Sequence, residues 1–542
     1  MSENQGAAYW RHADERNGTM THDAETHQEF AAADADRLDP AGRRNFMKAM
    51  GASMRLAGLT SCARQPEEKL VPYVKPPGEY VPSGIGALTT GYEGRPTNVE
   101  GLKEHPASLG ATGIHTQSSL LDLYSPDRLE ALSHAGTMAT WNQFVADIAR
   151  AMAEIDTAAG AGLTILTETI TSPTLQGQMA QLQQRFPEMH WRQHDPMSGK
   201  NARVGALQAF GEYVETKIDF TKAKAILSLD ANFLVEGPAH VRYARDFAVS
   251  RSAEAKADAP DYEAREHFAR DEMSRLYVAE CSPTLTGASA DHLLTLRYRQ
   301  VETLARVIAA QVGVSGVAAN AENVQALPSS KWIDAVVADL SHHKGGAVVM
   351  VGSTQPPVVH VLAHAINAAL GAIDSGLVTY VASAEAQPVD QAQSLKDLVD
   401  DLNADKVKLL VILGGNPVYN TPGTVDFAAA MDKAALRVHL AAERNETTEL
   451  CHWVIPEAHA LESWGDIRAY DGTHSIIQPL IKPLYNGKAA SEILAVLQGV
   501  EATSDYDLVR ARWRGLYGAA SESKWKVALS KGVVDGSAFP AK

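Results

Sequence analysis

Three short stretches carry residue types suited to holding a ligand. "LGGNP" (413–417) closes an apolar run; Gly414 and Gly415 permit close backbone approach, and Asn416 offers two donors and an acceptor. A loop of that kind can cradle a diphosphate or read the edge of a guanine, and a plain strand-to-turn junction uses the same residues. "LSLDANFL" (227–234) sets Asp230 and Asn232 at a similar strand end, and "RNETTE" (444–449) adds Glu446 and Thr447 at a third. If the three loops lie on one sheet system and converge, they form a ligand rim.

Metal chemistry is less well supported. The chain has three cysteines, Cys62, Cys281 and Cys451, far apart and without a CxxC, so it cannot supply the four thiolates of an iron–sulfur cluster. His360 and His364 stand at i, i+4 on one helical face, a spacing that can bind metal. With no HExxH and no third ligand near them, a core-facing or partner-facing helix is the expectation. Cys451 and His452, with His459 and Glu462, have zinc-type donors, but adjacent residues of a strand point to opposite faces. His342 and His343 suit a helix C-terminus. Glu457, Glu462 and Asp466 could be paired carboxylates; with no evident pocket they read as a solvated loop.

The elements that must position these residues alternate between strand and helix. "GLTILTE" (162–168) reads as a strand and "SPTLQGQMAQLQQRF" (172–186) as its helix, with Ser172 as cap and Pro173 in the first turn. "KAILSLDANFL" (224–234), "GAVVMVGSTQPPVVHVLAHAINAAL" (346–370), "KLLVILGGNPVYNTP" (408–422) and "LRVHLAAERNETTELCHWVIP" (436–456) repeat the theme. Such alternation predicts parallel α/β sheets flanked by helices, with ligand loops at the strand carboxyl ends. No internal repeat of fixed short period is visible. At 542 residues, 45% hydrophobic and 21% charged, the chain can bury a large core. A net charge of −16, from 49 basic and 65 acidic residues, argues against nucleic acid as a partner. No apolar run is long enough to span a bilayer.

The first 86 residues read differently. Residues 1–39 are polar, a tail or partner-binding extension. Residues 40–62 contain "GRRNFMK", with Arg43 and Arg44 as in a twin-arginine export signal, then an apolar segment interrupted by Arg55. The segment ends in "LTSC", which fits a lipobox with Cys62 as the acylated residue; a basic turn, a short amphipathic helix and a chance cysteine would give the same letters. Residues 63–86 hold five prolines and predict an extended arm rather than a packed domain. The α/β body then occupies 87–542, with 250–270 a charged, exposed insertion.

Longer motifs give these readings a family. "GRPTNVEGLKEHPASLGATGIHTQSSLLDLYSPDRL" (94–129), with its Gly-Arg-Pro start and Tyr-x-Pro-x-Arg-Leu end, resembles the opening segment of molybdopterin oxidoreductases. "EMSRLYVAECSPTLTGASADHLL" (272–294) and "NETTELCHWVIPEAHALESWGDIRAYDGTHSIIQPLIKPL" (445–484), with the buried export-like signal and "ARQPEEKLVPYVKPP", resemble one subgroup. That subgroup is the large peripheral, two-part subunit of alternative complex III, a bacterial quinol-oxidising membrane complex. The resemblance covers the first, molybdopterin-oxidoreductase-like half of that subunit and not its ferredoxin-like, iron–sulfur-binding half.

The resemblance implies a multi-domain molybdopterin-oxidoreductase-like α/β fold in which Asp230, Asn232, Gly415, Asn416, Glu446 and Thr447 are the loops that surround pterin nucleotides. It also marks departures. Catalytic members hold a cubane cluster on cysteines near the opening segment, where this chain has Ile114, His115 and Thr116. Their metal is bound by Ser, Cys, selenocysteine or Asp; around "MSGKNARVGALQAFGE" (197–212) only Ser198 qualifies, and such a serine is more often a cap. The implied chain is a non-catalytic scaffold with no cofactor, catalytic residue or metal of its own. Its partners would be an iron–sulfur half or subunit, multihaem cytochrome c subunits and quinol-binding integral membrane subunits. It would face the periplasm at the cytoplasmic membrane, held by those partners and by a lipid on Cys62. The alternative is an active enzyme binding bis-molybdopterin guanine dinucleotide with its clusters on another chain; a free periplasmic nucleotide-binding protein fits the glycine-rich loops but not the long motifs.

Overall fold

Runs such as Leu409–Leu413, "LLVIL", lack any polar alternation, so they are stable as strands only where both faces are covered. The structure, a computed structural model, describes residues 68–69, 73–75, 84–251, 273–318, 320–500 and 503–542, all within the unit Glu67–Lys542. Arg43, Arg44, Cys62, the stretches 1–39 and 40–62 and nearly all of 250–270 lie outside the described residues.

In chain order, β1 (Glu68–Lys69), β2 (Tyr73–Lys75), β3 (Ile85–Tyr92) and β4 (Arg95–Gly101) form an antiparallel sheet in which β3 pairs with the other three. Two pieces of the proline-rich stretch are therefore strands against the body, and Ile85 and Gly86 already belong to β3. Helix α1 (Ile114–Leu123), the hairpin β5 (Ser133–His134) and β6 (Thr137–Met138), then β7 (Leu163–Thr167), α2 (Pro173–Arg185) and β8 (His190–Gln193) follow. Ser172 caps α2 by accepting from the Leu175 amide, with Pro173 at its first position.

Helix α3 (Lys200–Phe210) and β9 (Val214–Ile218) lead into β10 (Ala225–Leu229), β11 (Arg275–Glu280), the short α4 (Leu285–Ala288) and β12 (His292–Thr295). Next come β13 (Ala347–Val351), α5 (Pro357–Ala369), β14 (Val378–Ala382), β15 (Leu409–Leu413), β16 (Leu436–Ala441), the short α6 (Glu446–Glu449) and β17 (Trp453–Pro456). The chain closes with the hairpin β18 (Gly465–Arg468) and β19 (His474–Ile477) and helix α7 (Asp505–Tyr517). None of the described helices is long and apolar enough to cross a membrane.

Two of the sheets are parallel or nearly so. One runs β12-β11-β10-β13, all parallel; the other runs β6-β5-β17-β16-β15-β7-β8, parallel except for its β5–β6 edge. In the first, the chain leaves β10 toward β11 and β12 and returns to the other side as β13. In the second, β15 leads to β16 and β17 on one side while β7 and β8 lie on the other. Each sheet therefore has one point where the strand order reverses, between β10 and β13 and between β15 and β7. Separate apolar cores fill the faces, one around Leu227, Val301 and Ile366, another around Phe144, Val411 and Trp453.

Glu462 and Asp466 do not lie in a solvated loop. Their relative exposures are 3% and 2%, because each is the hub of a polar knot. Glu462 takes both arms of the Arg128 guanidinium, at 3.1 and 2.6 Å, and accepts the His459 and Leu484 amides, each at 2.9 Å. Arg128 is the arginine of the Tyr-x-Pro-x-Arg-Leu motif, so that motif ends on a structural ion pair. Asp466 accepts from Ser172 Oγ (2.6 Å), the Thr174 amide (3.0 Å), Thr174 Oγ1 (2.7 Å) and Trp513 Nε1 (3.2 Å). His474 Nε2 lies 3.4 Å from the same carboxylate, and its Nδ1 lies 2.6 Å from the Tyr517 hydroxyl.

Candidate functional site: two strand-end crevices and a cavity

Order reversals in parallel sheets leave a crevice at the strand carboxyl ends, and both reversals here carry residues singled out by sequence. After β10, Asp230 adopts a left-handed backbone (φ 59°); its carboxylate accepts the Cys281 amide at 2.9 Å and Gln355 Nε2 at 2.8 Å. Gly352, at the end of β13, crosses so close that a β-carbon there would lie 1.9 Å from the Asp230 carbonyl oxygen. Asn232 then accepts through Oδ1 from the Thr286 amide (3.3 Å) and hydroxyl (3.0 Å), and donates through Nδ2 to Glu236 (3.0 Å).

The second crevice is built alike. After β15, Gly414 and Gly415 are both left-handed (φ 75° and 69°). Asn416 Oδ1 accepts from the Thr447 amide (3.3 Å) and hydroxyl (2.8 Å), and Nδ2 donates to Glu446 (2.7 Å), holding that exposed carboxyl below its ordinary range. The backbone repeats the match. The Asp230 and Gly414 amides reach the Ala279 and Leu440 carbonyls; the Asn232 and Asn416 carbonyls each accept the third and fourth amides beyond. The Leu234 and Val418 amides donate to the two threonine hydroxyls, at 3.3 and 3.1 Å. The chain thus contains one asparagine–threonine clasp twice. Sequence reading missed this duplication because only "DAN" against "GGN" and one threonine survive as letters, at different separations.

The six predicted residues are carried by two sheets. Asp230 and Asn232 belong to the four-stranded sheet, whereas Gly415, Asn416, Glu446 and Thr447 belong to the seven-stranded one. Among the described residues, their side-chain hydrogen bonds stay within each group.

A residue that sequence reading missed bears on what the second crevice accepts. Glu168, at the end of β7, lays its carboxyl across the glycine turn: a β-carbon on Gly415 would be 3.4 Å from Glu168 Oε1, and one on Gly414 would be 3.5 Å from Oε2. Burial, and then the neighbouring Asp195, push this carboxyl up to about 7. Around it, His194 Nε2 lies 3.0 Å from Asn420 Oδ1, and His439 Nε2 lies 3.1 Å from the Gly415 carbonyl. Burial lowers the His439 imidazole to about 4, so it is neutral there at physiological pH.

Both crevices are occupied, at these residues, by groups of the protein itself. Glu168 lies against the glycine turn, and the polar side-chain atoms of Asp230, Asn232 and Asn416 make hydrogen bonds to protein groups. Truncation of the clasp is correspondingly costly. Asn416→Ala leaves the amide and hydroxyl of fully buried Thr447 without their acceptor, an expected loss of about 1–3 kcal/mol in urea unfolding. A change below a few tenths of a kcal/mol would show that the clasp is not a structural element.

Ser198, His360 and His364 do come together, not in a closed core but in the lining of one cavity that also includes Asn232. Burial lowers both imidazoles to about 4, with His364 adding to the effect on His360. His452 Nδ1 accepts the Arg437 amide at 3.1 Å, while His459 Nε2 lies 3.1 Å from the Ser119 carbonyl, so those histidines serve separate places. No group of three or more His, Cys, Asp or Glu side chains among the described residues is placed to hold a metal ion.

No family model matches the chain. It is 24% identical over 466 residues to the menaquinone reductase, molybdopterin-binding-like subunit, of Nitratidesulfovibrio vulgaris (strain Hildenborough); the alignment covers 79% of this chain. The chain spans 65% of the length of that relative. Among solved structures it superposes on acetylene hydratase from Pelobacter acetylenicus with a TM-score of 0.56 and 15% identity, covering 77% of this chain and 68% of the other. The fold is thus molybdopterin-oxidoreductase-like, with parallel sheets flanked by helices.

Proposed function

We propose that this chain is a non-catalytic scaffold subunit of a quinol-linked electron-transfer complex of the alternative complex III kind. The observation that carries the reading is the glycine turn of the second crevice, covered by the Glu168 carboxyl where a diphosphate would have to lie. The relative named as a molybdopterin-binding-like subunit of a menaquinone reductase supports a place in a quinol-linked complex. In this reading the chain keeps the fold as a rigid body and holds an iron–sulfur half or subunit and multihaem cytochrome c subunits against quinol-binding membrane subunits. Its place is the periplasmic side of the cytoplasmic membrane, reached by a twin-arginine-type signal at Arg43 and Arg44 and fixed there by partners and by acylation of Cys62.

The test is the composition and turnover of the purified complex. Molybdenum and tungsten, measured by plasma mass spectrometry, and pterin, measured as its fluorescent oxidation product, are expected far below one per chain. Haem-bearing and iron–sulfur subunits are expected to co-purify. Asn416→Ala is expected to leave quinol oxidation per assembled complex unchanged. Stoichiometric metal and pterin, or a large fall in turnover at normal assembly, would replace this reading with that of an active bis-molybdopterin guanine dinucleotide enzyme.

A further inference from the structure

The cavity that collects Ser198, His360 and His364 has a volume of about 270 Å³. It is bounded by α3, the edge strand β9, the loop after β10, the end of β13 and α5, and most of its wall is apolar, including Ile218, Phe233, Val349 and Tyr470. One side is polar. Arg203, in the first turns of α3, forms an ion pair with Glu385, which is 6% exposed. Glu215, likewise in the wall, accepts from the Ser383 hydroxyl at 3.3 Å.

Three polar atoms on that side have no hydrogen-bond partner: Arg203 Nη1, Glu385 Oε2 and, on a residue 7% exposed, His360 Nε2. Buried polar atoms left unpaired cost free energy, so several on residues that line one cavity point to something that satisfies them when bound. Helix α3, eleven residues long, starts at Gly199 in a left-handed conformation (φ 62°) with no side-chain cap, and Ser198 and Gly199 are part of the same wall. Its free amides and dipole therefore favour a negative group there.

The unpaired pair is complementary to one functional group. Arg203 Nη1 is a donor without an acceptor, and Glu385 Oε2 is an acceptor without a donor. A carboxyl group supplies the acceptor and, with a shared proton, the donor. We propose that this cavity is a binding site for a small carboxylic acid with an apolar body, its carboxyl held between Arg203 and Glu385 beside the start of α3. The acidic neighbours do not forbid it. Burial pushes Glu385 up to about 8, with Arg203 opposing and Glu215 and Asp195 reinforcing, and burial likewise raises Glu215 against the pull of Arg203. With His360 and His364 neutral, the cavity is not strongly anionic near pH 7. A cationic ligand would instead face Arg203 and the positive end of α3. The proposal goes beyond the scaffold reading and does not depend on it.

The experiment titrates 4-fluorobenzoate into the full chain in its purified complex and follows binding by fluorine NMR, with 4-fluorobenzamide and 4-fluorobenzylamine as neutral and cationic comparisons. Saturable binding of the benzoate is expected, at least tenfold tighter than either comparison. Arg203→Met should weaken it at least tenfold. Glu385→Gln, which keeps the shape but not the charge, should leave it as tight or tighter. Because Arg203→Met strands a buried carboxylate and can compromise folding, Ala206→Leu supplies a second route: it fills the cavity from α3, leaves the ion pair in place and should also abolish binding. Asn416→Ala, in the other sheet, should not change it. Absence of saturable benzoate binding to the unaltered protein, equal affinity for amide or amine, or full binding in Ala206→Leu would each overturn the proposal.

Discussion

Replacing Asp466 by alanine is expected to cost about 3–5 kcal/mol, the scale seen when one member of a buried charged network is removed. Four donors converge on this carboxylate: the Ser172 and Thr174 hydroxyls, the Thr174 amide and the Trp513 indole, with His474 Nε2 as a longer fifth. They come from α2, α7 and the β18–β19 hairpin, so alanine strands donors on three elements at once, in a place closed to bulk water. Asp466→Asn keeps the size but points an NH₂ at the same donors and should lose more than half as much. Urea unfolding followed by tryptophan fluorescence reads both, since Trp513 is fully buried. A loss under 1 kcal/mol for the alanine variant would refute the network's structural role.

The same network fixes the sign of a pH effect. Burial alone would raise the Asp466 carboxyl, but hydrogen bonds from His474, Ser172 and Thr174 outweigh it and hold it below its ordinary value. A carboxyl depressed on folding contributes stability that is fully present above its unfolded value, near 3.9, and is lost as pH falls through the folded one. His474 is lowered too, but by burial and despite Asp466, so near pH 7 a neutral imidazole donates from Nε2 and accepts the Tyr517 proton at Nδ1. The network should therefore hold through neutral pH and fail on the acid side. Asp466→Asn should flatten the acid limb of the stability curve.

Arg128→Met should be comparably severe, about 3–5 kcal/mol. The side chains of Arg128 and Glu462 are 3% and 0% exposed, and they bind in bidentate fashion across the contact between the end of the opening segment and the 457–484 region. Methionine retains much of the apolar stem but leaves the Glu462 carboxylate buried with only two backbone amides. Adding Glu462→Gln removes the stranded charge while keeping an acceptor for the His459 and Leu484 amides. The double variant should thus recover about half of the loss, and its failure to recover any would show that arginine packing rather than charge pairing holds the contact.

What the sequence determined by itself was the local content. "TILT" and "LLVIL" are apolar without alternation, and burial on both faces follows from that pattern alone. Ser172 followed by Pro173 started a helix because cap chemistry acts over three residues. "LRVHLAAERNETTELCHWVIP" read as strand, loop and strand, and Leu436–Ala441, Glu446–Glu449 and Trp453–Pro456 are those pieces with one helical turn between them.

What only the tertiary structure decided was partnership. Glu462 and Asp466 read as solvated loop carboxylates because their partners lie 334 and 292–294 residues away in the chain. The loops of the predicted rim are carried by two sheets because strand order, which no local pattern encodes, put Asp230 after a strand of one and Gly415 after a strand of the other. The same packing laid Glu168 over a glycine turn far along the chain and brought Ser198, His360 and Glu385 to one cavity. Hydrophobic period and capping are short-range and survive as letters. Hydrogen bonds and ion pairs are also short-range, but in space rather than along the chain, so their partners are set only once the sheets have packed.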